Sequence, residues 1–179
     1  METVETNKTP NALAFKSALV YTIYFLALIY VFKLAGVDQN DPNSSTAEKF
    51  LSSLASYLPF ILAIIYVQTN FKQELGGFIS FKSAFSAGFR VAAYAGLFIA
   101  VVLMLYYKVL DPAAFERLID AAREAAGDDE TKLKGVEMMK SYMIFFIGFG
   151  AAITYTLLGL IASLIGAAII KREAPVQYE

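Results

Sequence analysis

Residues 141–170 read SYMIFFIGFGAAITYTLLGLIASLIGAAII, thirty positions without an Asp, Glu, Lys or Arg. A helix rises about 1.5 Å per residue and needs about 20 apolar residues to cross a hydrocarbon core of about 30 Å, so this run crosses a bilayer unaided. Three more uncharged runs precede it, Ser17 to Phe32, Phe50 to Phe71 and Val91 to Tyr107. The second, at 22 residues, is also sufficient. The first continues past Lys33 through Leu34-Ala35-Gly36-Val37 if the Lys33 ammonium snorkels to the headgroups. The third extends back through Ala84 to Phe89 if Arg90 does the same. The expected fold is therefore all-α and polytopic, one domain over 1–179 with four spans at about 17–37, 50–71, 84–107 and 142–170. The first span is read as retained: its leader carries Glu2 and Glu5, and no small-x-small site follows it cleanly, unlike a cleaved signal peptide.

Composition narrows the function classes. Of 179 residues 58% are hydrophobic and 17% charged, more apolar than an ordinary soluble domain. Cys, His and Trp are absent, which removes thiol nucleophiles, disulfides, Cys/His zinc sites, His-ligated haem and every triad with an imidazole base. No cofactor is expected. Fifteen basic residues against sixteen acidic ones provide no basic field for nucleic acid.

The connections follow from the punctuation. Asp38-Gln39-Asn40-Asp41-Pro42-Asn43-Ser44-Ser45 is a run of turn and cap formers that enters the second helix near Thr46. Gly76-Gly77 supplies a left-handed C-cap and Ser80 an N-cap, so the next connection is tight. Lys108 to Lys140 holds the densest charge, 14 of the 31 charged residues. There Asp111-Pro112 reads as N-cap and first helical position, and Phe115, Leu118, Ile119, Ala122 and Ala126 recur at helical spacing until Gly127. An amphipathic helical segment at about 111–140, lying on one membrane face, is expected. A second start at Asp128-Asp129-Glu130 runs directly into the last span; as a calcium loop it lacks spaced ligands and a turn glycine.

Four spans put both termini on one side. Basic residues flanking the spans number six on that side (Lys16, Lys72, Lys82, Arg90, Lys171, Arg172) and four on the other (Lys33, Lys49, Lys108, Lys140), so both termini are expected in the cytoplasm. Tyr106, Tyr107 and Tyr142 would then be interface anchors on the outside.

Gly76-Gly77-Phe78-Ile79-Ser80-Phe81 with Ala84-Phe85 and Gly88, Tyr106-Tyr107 leading to Asp111-Pro112, and the close Ile165-Gly166-Ala167-Ala168-Ile169-Ile170-Lys171-Arg172 resemble the bacterial membrane family catalogued as domain of unknown function 4199. The resemblance covers about Leu13 to Arg172. It implies four spanning helices in a bacterial cytoplasmic membrane and brings no functional residues with it.

Arg90 is the one charge inside an apolar stretch from Ser83 to Tyr107, which makes it a candidate contact for an anion or lipid phosphate. A snorkelling anchor, roughly 9 Å inside the helix, is the preferred reading. Pro59 lies mid-span and strands the carbonyl of Ala55, with Ser52, Ser53 and Ser56 placed upstream to repair the loss. A static kink is preferred to a gating hinge. Ala84, Gly88, Ala92, Gly96 and Ala100 recur every four residues, and Gly148, Ala152, Gly159, Ser163 and Gly166 offer a matching face. In lipid such stripes mark close backbone approach, read here as packing within one bundle rather than a dimer seam.

No Asp or Glu lies within the spans, so the carboxylate relay common in proton-coupled transport is missing. Three functions are weighed. The first is a non-enzymatic integral membrane protein acting through helix, lipid or partner contacts, including a homo-oligomer or another membrane protein. The second is a small channel or transporter subunit for an uncharged or anionic solute, with Arg90, Pro59 and the hydroxyls lining the path. An intramembrane lipid enzyme ranks last, having no base in reach.

Overall fold

The computed structural model describes residues 9–37 and 45–173. Among the described residues there are five α-helices: α1 (Asn11–Ala35), α2 (Thr46–Glu74), α3 (Phe81–Leu105), α4 (Pro112–Ala126) and α5 (Glu130–Ile170). A single π-helical turn, Tyr106–Leu110, extends α3. Helices α1, α2, α3 with its π turn, and α5 are each long and apolar enough to cross a membrane. The connection read at 38–45 lies, except for Ser45, outside the described residues, as do Glu2, Glu5 and Lys8.

Local chemistry sets the helix ends. Ser45 accepts from the Glu48 amide while the Glu48 carboxylate accepts from the Ser45 amide, a reciprocal cap that starts α2. Ser80 accepts from the Ser83 amide at the start of α3. Asp129 accepts from the amides of Thr131 and Lys132 at the start of α5. Gly76 and Gly77 sit at φ 79° and 89°, a backbone region costly for any residue with a Cβ, and their amides close the α2–α3 turn on the carbonyls of Gln73 and Lys72.

That turn is fastened to the end of α5. Ile79 and Arg172 exchange two backbone hydrogen bonds of 2.9 Å, and Lys72 Nζ donates to the Ile170 carbonyl, an orphan at the helix terminus. One end of the bundle, the turn end, therefore gathers the start of α1, the α2–α3 turn and the close of α5. The opposite end carries α4 and is called the hairpin end.

Helix α3 is central and packs on α1, α2 and most extensively on α5. The core joins Ala14, Ala18 and Tyr21 of α1, Phe60, Ile64 and Val67 of α2, Val91, Ala95 and Ile99 of α3, and Tyr155 and Ala167 of α5. The perimeter is the reverse of a soluble surface: Val20, Ile23, Leu62, Leu97, Phe149, Leu157 and Ile165 are all exposed. Large apolar side chains facing outward on all four long helices suit a hydrocarbon solvent.

At the hairpin end two expectations change, those for Lys33 and Tyr106. α5 is 41 residues long, about 60 Å of helix, so its first turns project beyond the uncharged run that begins at Ser141. α4 folds back along that projection. Lys140–Glu116 at 2.8 Å and Arg123–Glu137 at 2.6 Å tie the two together. Lys33 does not reach freely for headgroups: its Nζ donates to Asp111 Oδ2 at 2.6 Å. Tyr106 is no interface anchor either. It is buried, its hydroxyl donates to Asp111 Oδ2 at 3.0 Å and its ring meets Tyr30 edge-on. Tyr142 remains exposed.

Asp111 is thus the joint of this end. Besides Lys33 and Tyr106 it accepts from the Ala114 amide as the cap of α4, with Arg117 at 3.6 Å. The hydrogen bond from Lys33 holds its carboxyl below the usual carboxylate range, and the bonds from Tyr106 and Ala114 act in the same direction against burial.

Candidate functional site

Inside the spans polar side chains gather at two levels. The first lies nearer the turn end, where α2, α3 and α5 cross. Gln68 is fully buried there, and its Nε2 donates to the Ala84 carbonyl of α3 at 3.1 Å and the Ser163 carbonyl of α5 at 2.9 Å. Both amide protons are spent, which fixes the amide's orientation. Its Oε1 has no conventional donor but stands 2.1 Å from where a Cβ on Gly166 would be, so the Cα–H of that glycine points at it. A Cβ on Gly88 would fall 2.7 Å from Nε2 and 2.8 Å from Ser163 Oγ. Two glycines therefore make room for one amide.

The small-residue stripes run away from this crossing. A Cβ on Gly159 would sit 2.2 Å from the Ala92 Cβ, one on Gly96 2.9 Å from the Ala152 carbonyl, and one on Gly148 3.2 Å from the Ala100 carbonyl. Ala84, Gly88, Ala92, Gly96 and Ala100 are buried, as are Gly148, Gly159 and Ser163, while Ala152 is partly so. The structure brings the two stripes together within the chain. Gly76 and Gly77 lie in the turn beyond them.

The second level is aromatic and lies mid-bundle. Tyr21 of α1, Tyr57 and Phe60 of α2 and Tyr155 of α5 pack ring against ring, with Phe25 edge-on to Tyr155. The Tyr21 hydroxyl donates to the Ser56 carbonyl at 2.8 Å and lies 3.3 Å from the Tyr155 hydroxyl. Tyr24 donates to the Ala55 carbonyl at 2.9 Å. That is the carbonyl stranded by Pro59, and its repair comes from α1 rather than from the upstream serines; Ser56 Oγ instead donates to its own helix at Ser52. The proline thus creates the acceptor by which α1 grips α2.

Beside this cluster, toward the hairpin end, opens a pocket of about 240 Å³ lined by Phe25, Ser53, Ser56, Tyr57, Ala151, Thr154 and Tyr155. No charged side chain lines it. Its lining offers hydroxyl donors and aromatic faces, with no nucleophile paired with a base among those residues.

Arg90 does not reach this pocket. It stands at the turn end beside the start of α1, where its Nη1 donates to Asn11 Oδ1. Gln68 was not among the residues singled out from sequence, although a signal existed. It continues the α2 series Ser52, Ser56, Phe60 and Ile64 at four-residue steps, the face that the structure buries.

The sequence matches, over residues 16–172, the family described as protein of unknown function (DUF4199). The chain belongs to that family. No curated protein and no solved structure matches it. The family match extends from the first turns of α1 through the Ile79–Arg172 bridge, so it takes in both polar levels, the pocket and the α4–α5 hairpin.

Proposed function

We propose that this member of the family is a non-enzymatic protein of the bacterial cytoplasmic membrane that works through contacts with lipid or with a membrane partner. One observation carries the reading: within the spans Gln68, Tyr21 and Tyr24 serve as ties between helices. Gln68, Tyr21 and Tyr24 each donate to a backbone carbonyl of another helix, and Lys33 closes the hairpin end onto Asp111. Groups engaged in this way hold a bundle together; a conducting path needs polar groups free to exchange partners with a passing solute. Both termini are assigned to the cytoplasm on the excess of basic residues flanking the spans at the turn end.

Proteoliposomes test the reading against a channel or transporter. Swelling in glycerol and chloride efflux should match protein-free vesicles. Flux that rises with protein content and falls on Arg90→Ala would replace it with the solute-pathway alternative. Orientation has its own check, in cysteines placed at Lys82 and Asp128 and exposed to an impermeant thiol reagent in intact cells. Labelling is expected at 128, and labelling at 82 alone would invert the assignment.

A further inference from the structure

The hydroxyls around the pocket differ from the other polar groups of the bundle. Among the described residues no protein acceptor takes the protons of Ser53, Tyr57 or Thr154; the Tyr155 hydroxyl can give its proton to the Tyr21 oxygen 3.3 Å away, since Tyr21 spends its own on the Ser56 carbonyl. Three donors converge on one space, one of them carried on the Tyr57 ring, whose centroid is 5.7 Å from that of Tyr155. In a hydrocarbon surrounding, a hydroxyl without an acceptor is costly, so such a group of donors favours a ligand that brings oxygen atoms. Charge is disfavoured, because no cation or anion lines the space to compensate an ion's desolvation.

The mouth indicates where such a ligand enters. Ser53 and Thr154 are exposed, and their neighbours Leu54, Ile153 and Leu157 are 44%, 44% and 55% exposed, so the opening lies on the apolar perimeter of α2 and α5. About 240 Å³ holds a group of glycerol-ester size and leaves no space for two acyl chains, which would remain outside along the perimeter.

We propose that this pocket binds an uncharged, oxygen-rich group of the glycerol-ester kind, accepting hydrogen bonds from Ser53, Tyr57 and Thr154 and resting against the rings of Phe25 and Tyr155. The chemistry is shared by a neutral glycerolipid arriving from the bilayer and by a free polyol arriving from water. The inference rests on the reading of the chain as a contact protein.

The test uses the full chain in detergent micelles, with 1,2-dioleoylglycerol, glycerol and dioleoylphosphatidylglycerol as probes, read by native mass spectrometry and thermal shift. Dioleoylglycerol should bind and raise the melting temperature. The near-isosteric pair Tyr57→Phe and Thr154→Val should weaken that binding on the order of tenfold through two lost hydrogen bonds. Ser53→Leu, a change at an exposed position, should block the mouth. Binding of glycerol alone, with the same dependence on Tyr57 and Thr154, would retain the chemistry and assign the ligand to water. Phosphatidylglycerol binding as tightly as dioleoylglycerol, or affinity indifferent to all three substitutions, would overturn the proposal. A photoreactive diacylglycerol on the unaltered protein gives a reading independent of variant folding: crosslinks at residues 50–60 and 150–157 support the site, and crosslinks confined elsewhere overturn it. Breakdown of dioleoylglycerol in the same samples would overturn the non-enzymatic reading and leave the site standing.

Discussion

The α3–α5 seam and the α1–α2 contact solve one problem by opposite means. Along the seam Gly96, Gly148 and Gly159 remove side chains until backbones nearly touch, and cohesion comes from many short van der Waals contacts. Between α1 and α2 the contact is made by bulky tyrosines, and cohesion comes from hydroxyls directed at carbonyls. The seam leaves no space. The pocket opens beside the tyrosines, chiefly between α2 and α5. A bundle built only in the first way would have no interior site, and one built only in the second would forgo the close packing that resists rearrangement.

The contrast breaks most readily at the seam. Gly96→Leu places its Cβ 2.9 Å from the Ala152 carbonyl, which cannot move without moving α5, and should cost about 3 kcal/mol by chemical denaturation in detergent. Unchanged stability would place that face against lipid.

The crossing at Gln68 comes next. Gln68→Ala and Gly166→Ala should each cost about 2 kcal/mol, the first by losing two bonds to carbonyls and the second by driving a methyl into Oε1. Combined, they should cost no more than Gln68→Ala alone, because the obstacle is gone. Strict additivity in the double-mutant cycle would show that the two residues do not share one space.

At the hairpin end Asp111→Ala removes a helix cap and the partner of Tyr106, together about 2 kcal/mol; Lys33 is half exposed and recovers solvent. Asp111→Asn keeps a capping oxygen and should cost less. Because the folded carboxyl titrates below its ordinary 3.8, the charge contribution is fully present above that pH and is lost as pH falls through the lower folded value. Melting temperatures followed downward from pH 5 should fall more steeply for the unaltered protein than for Asp111→Asn.

The smallest effect sharpens the tyrosine side. Tyr24→Phe should cost about 1 kcal/mol, since it leaves the Ala55 carbonyl without its donor. In a Pro59→Ala background residue 59 regains an amide for that carbonyl, and the same change should become nearly silent. An equal cost in both backgrounds would separate the tyrosine from the proline.

Much of this was legible along the chain because it is a matter of single helices. Uncharged length fixed the number of spans, since backbone groups in hydrocarbon must be satisfied within each helix. Ser45, Ser80, Asp111 and Asp129 cap where they stand because capping reaches only two or three residues. Glycine pairs in the turn and alternating small residues on α3 and α5 likewise announce local backbone geometry and close approach.

What depended on distant partners was not legible. Lys33 finds Asp111 across 78 residues, Tyr24 finds Ala55 across 31 and Gln68 finds Ser163 across 95. Sequence supplied the stranded carbonyl at Ala55 but not its donor, and read Lys33 and Tyr106 as groups reaching for the interface. In a medium without competing water a polar side chain turns to whichever acceptor the packing brings near. Its sequence fixes that it must find a partner, and only the arrangement of the four helices decides which one, and which hydroxyls are left facing a pocket.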